Sequence, residues 1–388
     1  MSASRGNRPS TLTVLILLWG AGLYLRLTVM VAPPLAPVIA NDLGLSEALT
    51  GSLTTLPILM LAIAAIGASF IISRIGARNT LAIALALVAA TSALRGAGGS
   101  VALFAATAAM GIAIAAIQPA LPTLITQWWP TSIAFGTAVY MNGMLMGEVL
   151  GSTLTIPLML PLADGSWRLA LLFWSLPALI PALALLWLLP ARRDGPPDQG
   201  HWMPNWREPL LWRLGALLGA SGALFFGTNA YLGSVLSGRG ESDLLALGLV
   251  LLNGTQLVAS ALMFWLARYW TGRARPLIGL MLLGVGSLGA FVLLPGIPGL
   301  IALLPAGLAA GMMLILMVAL PPLYTRGNET AALAAGMFGI GAIVNFGVPL
   351  LGGMIADHTG SPGMAVLPIL LYSALVVPLA KGLPPLPG

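Results

Sequence analysis

Two ionisable residues stand deep inside long apolar runs. Arg26 lies in Tyr24-Leu25-Arg26-Leu27-Thr28, between Val14-Leu15-Ile16-Leu17-Leu18-Trp19 upstream and Pro33-Pro34 downstream. On a helix rising 1.5 Å per residue, its head group is roughly 20 Å from either end. A guanidinium stays ionised, so burying it there is costly unless a negative group meets it. Glu148 lies in Asn142-Gly143-Met144-Leu145-Met146-Gly147-Glu148-Val149-Leu150-Gly151 and falls at a similar depth. Two readings are open: a buried structural ion pair, or charges lining a polar path. A pair broken and remade in a working cycle satisfies both. Arg26 cannot lose its proton and suits fixed anchoring of an anionic or acceptor-rich compound. A desolvated carboxyl can take up and release a proton, so Glu148 is the proton-coupling candidate.

Neutral polar residues at the same depth extend the set: Tyr24, Gln118, Tyr140, Asn142, Asn229, Tyr231, Asn253, Gln256 and Asn345. Amides are costly in hydrocarbon, so each either bridges helices or faces a cavity. For any one of them bridging is at least as good a reading. Tyr24 and Tyr140 gain weight by sharing segments with the two charges, and Asn253 and Gln256, three apart, share a helix face.

The elements that must carry these residues follow from composition. The chain has 388 residues, 58% hydrophobic and only 7% charged. Soluble domains carry about 25% charged residues, so this is an all-α integral membrane protein held in a lipid bilayer. Hydrophobic segments near 11–40, 48–72, 79–97, 100–127, 131–161 and 166–190 precede a polar stretch. Six more follow near 210–237, 242–267, 276–295, 298–325, 329–356 and 362–381. Twelve transmembrane helices in two six-helix bundles are expected, spanning 1–190 and 210–388, with a linker at 191–209. The first helix is read as retained, because no small-residue cleavage site follows its apolar run. Pro33-Pro34 and Pro37 are expected to kink or unwind its later part.

The basic residues orient this map. With both termini cytoplasmic, 13 of the 17 arginines and lysines fall inside and three outside, at Arg95, Arg168 and Arg239. That bias matches the positive-inside rule, and it accounts for the net charge of +6 without nucleic acid. Trp202 and Trp206 beside Arg207 suit the head-group layer.

Weak internal similarity supports the division into halves. Gly136 and Gly147 recur as Gly336 and Gly347, and Tyr24-Leu25-Arg26 is similar to Tyr231-Leu232-Gly233. Basic turns follow the second helix at Arg74 and Arg78 and the eighth at Arg268. Gly136, Gly143, Gly147 and Gly151 form a small-residue stripe suited to close helix packing. The chain has no cysteine, and both histidines, His201 and His358, fall in expected loops. With no metal-ligand cluster, nucleophile motif or phosphate loop, no enzyme and no cofactor is expected.

Several motifs together resemble a known group. They are Leu25-Arg26 with Pro33-Pro34-Leu35, Asp42-Leu43-Gly44-Leu45-Ser46, and Gly51-Ser52-Leu53-Thr54-Thr55-Leu56-Pro57. Gly136-Thr137-Ala138-Val139-Tyr140, Trp167-Arg168-Leu169-Ala170 and Gly353-Met354-Ile355-Ala356-Asp357-His358-Thr359-Gly360 continue the match. On these the chain resembles the major facilitator superfamily, and within it the cyanate/2-nitroimidazole porter family. There are departures. Ser73 stands before Arg74 where the superfamily usually has an aspartate. Ala267 precedes Arg268, so Arg74, Arg78 and Arg268 are the inner-gate residues the resemblance implies, without that aspartate, and the family does not supply Glu148. The paired-glycine signature of drug antiporters is absent from the fifth helix.

The resemblance implies a secondary transporter of the bacterial inner membrane working by alternating access. The expected substrate is a small anion or small polar nitrogen compound, cyanate-like or nitroimidazole-like, moved by proton symport in a monomer. The alternative is a proton-driven exporter of small toxic or drug-like compounds.

Overall fold

The computed structural model describes residues 11–128, 133–188, 203–325 and 328–384. Most of the expected linker lies outside them, with Arg5, Arg8, Arg192, Arg193, His201, Trp202 and Arg326.

Twelve helical spans cross one bundle in alternating directions. The first half comprises α1 (Thr11–Leu43), α2 (Glu47–Ile75), α3 (Ala77–Leu94), α4 (Ser100–Trp128), α5 (Ile133–Thr153, continued by Thr155–Leu162) and α6 (Trp167–Leu188). The second comprises α7 (Pro209–Gly238), α8 (Leu245–Trp270), α9 (Ala274–Leu293), α10 (Gly296–Val318), α11 (Asn328–Thr359) and α12 (Pro362–Lys381). Eleven are long and apolar enough to cross a membrane, and twelve when the two parts of α5 count as one span. α1 starts at the near end of the bundle and reaches the far end at the α1–α2 turn.

Local chemistry places the helix ends. Gly44 adopts a left-handed conformation (φ 62°) that ends α1, and the Ser46 hydroxyl caps α2 by accepting from the Leu49 N–H. Ser166 does the same for α6. The two parts of α5 meet at 55°, where Pro157 cannot donate to the preceding turn and the Met159 N–H reaches back five residues to Leu154. Large apolar side chains such as Ile180, Trp187, Leu293 and Leu375 point outward, as lipid contact requires.

α1 is interrupted twice, at Tyr24–Arg26 and again at Val31, just before its first prolines. Pro33 and Pro34 sit in the first turn of the helical piece Ala32–Leu43, where a missing N–H leaves nothing unpaired, and Pro37 is accommodated inside it. The break falls at Tyr24–Arg26, where Leu25 and Arg26 donate only three residues back, to Gly22 and Leu23. A one-turn piece, Leu27–Met30, then joins the rest.

The glycine stripe explains how α1 is held. A Cβ on Gly143, Gly147 or Gly151 would land on the carbonyls of Trp19, Leu23 or Leu27, so α5 packs backbone to backbone along α1. The repeat is not symmetric here, because a Cβ on Gly347 meets nothing within 4 Å. In the second half the close approach comes from α7, whose Gly215, Gly219 and Gly222 receive Ile340, Val344 and Asn345 of α11.

The three arginines counted outside differ in burial. Arg95 caps the far end of α3 but is fully buried, its side chain folded back against α1. Arg168 and Arg239 do lie at the far end, where Arg168 pairs with Asp42 at 2.9 Å and Arg239 donates to the Phe291 carbonyl.

Candidate functional site

A cavity of about 80 Å³ lies between the halves at mid-depth. α1, α2, α4 and α5 line it from one side, and α7, α8, α10 and α11 from the other. The first and second helix of each half thus face their counterparts, while α3, α6, α9 and α12 support from outside.

Irregular backbone brings the key side chains to it. The break in α1 turns Arg26 out of the helix line, and its side chain is partly open to the cavity. Opposite, α7 widens into a π-turn at Ala223–Gly227, which carries Phe225 and Phe226 into the wall. Such single-turn widenings recur at functional sites. The Arg26 guanidinium carbon sits 4.8 Å from the Phe226 ring centroid, so a cation–π contact joins the halves. When desolvated, such a contact contributes about 2 kcal/mol.

Glu148 reaches the same cavity from α5 and is 5% exposed. It makes no ion pair with Arg26 within 4.0 Å, yet the two charges are near enough to act on each other. The closed ion pair is therefore not the arrangement seen. Instead an unpaired cation and a carboxyl share one cavity wall.

Three amides and a hydroxyl complete the lining. Gln118 opens toward the cavity from α4. Gln256 lines it from α8, donates to the Gly307 carbonyl at 3.0 Å and packs its own oxygen against Gly311 of α10. Asn345 packs against Gly222, and its Oδ1 has no hydrogen-bond partner among the described residues. A buried acceptor without a donor is uncommon and points to a ligand or solvent group. Ser221 spends its hydroxyl on the Ala310 carbonyl.

The remaining sequence candidates sit elsewhere. Tyr24 donates to the Trp174 carbonyl at 3.3 Å, tying α1 to α6. Tyr140 is buried where α5 meets Gly22 of α1. Asn142 accepts from the Trp19 indole at 2.9 Å and faces a separate groove beside α8. Asn229 accepts from Asn253 at 2.9 Å, an amide bridge between α7 and α8. Tyr231 donates to the Pro349 carbonyl at 2.7 Å and fills space left by Gly51 and Gly353 toward the far end. Arg78 donates to Asn79, Arg268 lies over the Tyr269 ring, and both, with Arg74, belong to the near end. The aromatic half of the wall, Phe225, Phe226 and Phe338, was not singled out from sequence. In a chain this apolar, nothing distinguishes a cavity phenylalanine from a lipid-facing one.

The halves are joined at the far end by a helix cap. Asp357, near the end of α11, accepts from the backbone N–H of Glu47 at 2.6 Å and of Ala48 at 3.1 Å. These are among the first N–H groups of α2, which have no acceptor inside their own helix. Gly353 against Ala48 and Gly233 against Pro37 close the same end by packing.

Twelve spans, a cavity enclosed by paired helices from two halves, and a mid-depth charge set define a membrane transporter. The sequence matches the Major Facilitator Superfamily over residues 18–331, and the chain belongs to that family. It is 30% identical over 368 residues to the 2-nitroimidazole transporter of Escherichia coli (strain K12), covering 91% of this chain and 90% of that protein. It is 27% identical to the cyanate transport protein CynX of the same organism, covering 90% and 91%. Its fold matches a bacterial homolog of the human lysosomal transporter Spinster, crystallised inward-facing and unoccupied. That match has a TM-score of 0.73 at 16% identity and covers 97% and 96% of the two chains.

Proposed function

We propose that this transporter carries a small anion or a small, flat nitrogen compound, cyanate-like or nitroimidazole-like, through the cavity around Arg26. The observation that carries the reading is the unpaired Arg26 guanidinium, stacked on Phe226 and facing an amide-lined space. A fixed planar fork of donors suits an acceptor-rich solute, and phenylalanine faces suit a flat one. The cavity of about 80 Å³ favours a small solute over a bulky one. The relatives named for 2-nitroimidazole and cyanate fit that size class.

Glu148 is the group we assign to proton coupling, because it is buried, shares the cavity with Arg26 and is not locked in an ion pair. Protonating it would strengthen the net positive field around an anion, so solute and proton would bind together. We place the near end, with its excess of arginine, in the cytoplasm of a bacterium, and the protein in the inner membrane. The structure then has its periplasmic end closed by Asp357.

The test is uptake of radiolabelled cyanate and 2-nitroimidazole into proteoliposomes, with a proton gradient imposed in either direction. Arg26→Ala and Arg26→Lys should both abolish transport by protein that still elutes as a single folded species. Wild-type rates in either variant would sink the assignment. The gradient direction that drives accumulation separates uptake from export.

A further inference from the structure

A second costly charge lies outside the cavity. Arg95 is fully buried at the far end of α3, inside the first half. Its Nη1 donates to the Thr28 carbonyl at 2.9 Å and touches the Met110 sulfur at 3.9 Å. Its Nε and Nη2 have no partner, and it makes no ion pair with a carboxylate among the described residues. Burying a guanidinium this way costs stability, since an apolar side chain of similar length would fill the space without the desolvation.

What Arg95 holds explains its presence. Thr28 lies two residues beyond Arg26, in the one-turn piece of α1 between the break at Tyr24–Arg26 and the joint at Val31. A helix interrupted on both sides cannot keep its own register. The Tyr24 hydroxyl fixes the other side of the break to α6. Arg95 and Tyr24 thus tie the chain two residues to either side of Arg26 to α3 and α6, and the Arg26 side chain reaches Phe226.

We propose that Arg95 is a positioning residue for Arg26. It acts through the Thr28 carbonyl, setting the break in α1 that aims the solute-anchoring guanidinium into the cavity. The inference rests on the reading of Arg26 given above. It requires a donor at position 95, not a positive charge, and this separates it from a second anion site.

Two measurements on the full-length protein test it. The first is hydrogen exchange, read by mass spectrometry, of the α1 peptide spanning 24–30, which needs no solute. Arg95→Met should exchange there at least tenfold faster than wild type, while Arg95→Gln, which keeps a donor, should stay within about twofold. The second is transport of cyanate and 2-nitroimidazole. Arg95→Met should raise KM at least tenfold with kcat little changed, and its melting temperature should be at or above that of wild type. Arg95→Gln should restore KM.

In an Arg26→Lys background with any measurable solute affinity, Arg95→Met should cause no further loss. Unchanged exchange in Arg95→Met, or an independent further loss in that background, overturns the proposal. Rescue by Arg95→Lys but not Arg95→Gln also overturns it, in favour of a charge role. Should Arg95→Met fail to fold, Arg95→Gln decides alone: wild-type exchange and KM support positioning, and loss of both refutes it. If the wild type handles neither solute, the solute reading fails, and the exchange measurement still judges Arg95.

Discussion

Removing the Asp357 carboxylate should release the far end of the protein. Asp357 caps a helix of the other half, so its contribution appears in the balance between far-end-closed and far-end-open states. Replacing a helix-capping side chain by alanine costs about 0.5–2 kcal/mol. Asp357 is exposed, so the lower half of that range applies, about 1 kcal/mol. At 1.4 kcal/mol per tenfold, Asp357→Ala should raise the far-end-open population about fivefold. Asp357→Asn, which keeps one acceptor oxygen, should raise it about twofold on the same scale.

The chain has no cysteine, so a single thiol can report the change. Ser234 is buried at 9% exposure beside Glu47 and becomes accessible only if α7 and α2 part. In a Ser234→Cys protein, labelling by a membrane-impermeant maleimide from the far side should accelerate by these factors. An unchanged or slower rate in Asp357→Ala, with melting behaviour intact, would refute the cap as a closing element.

Glu148→Gln should abolish the dependence of net transport on the proton gradient while solute exchange at equal pH on both sides persists. Counterflow alongside gradient-driven uptake measures both, and a surviving gradient response would remove Glu148 from coupling. Gly147→Ala should destabilise by about 2 kcal/mol or more, because its Cβ would land on the Leu23 carbonyl of a backbone that cannot yield. Gly347→Ala, the matching position of the repeat, should lie within about 0.5 kcal/mol of wild type, since it meets open space. Thermal melts of the purified variants in detergent test the contrast, and equal losses would contradict the asymmetry.

Much of the architecture was legible because membrane insertion is governed by local composition. Each span is an apolar run near 20 residues, and each break is marked by glycine, proline or charge. The deep charges were legible for the same reason: Arg26 and Glu148 stand out only because their neighbours are apolar. The stripe Gly136, Gly143, Gly147 and Gly151 could be assigned to packing from its small residues; the last three meet the carbonyl row of α1, and Gly136 meets Ile125 of α4. The prolines marked only one of the two interruptions in α1, the joint at Val31, while the break at Tyr24–Arg26 has no proline to announce it.

By itself, then, the sequence determined the number of spans, the bias of basic residues between the two ends and the pair of charges at mid-depth. Those are properties of one segment in a uniform apolar solvent. Tertiary structure decided which polar side chains share a space. It sent Gln118, Gln256 and Asn345 to the cavity but Asn229 and Asn253 to each other. It buried Arg95 against a carbonyl 67 positions away and lent Asp357 to a helix 310 positions away. A polar group in a membrane must find a partner, but which one depends on helix rotation and backbone approach. Those are set by packing between distant segments, and local composition does not encode them.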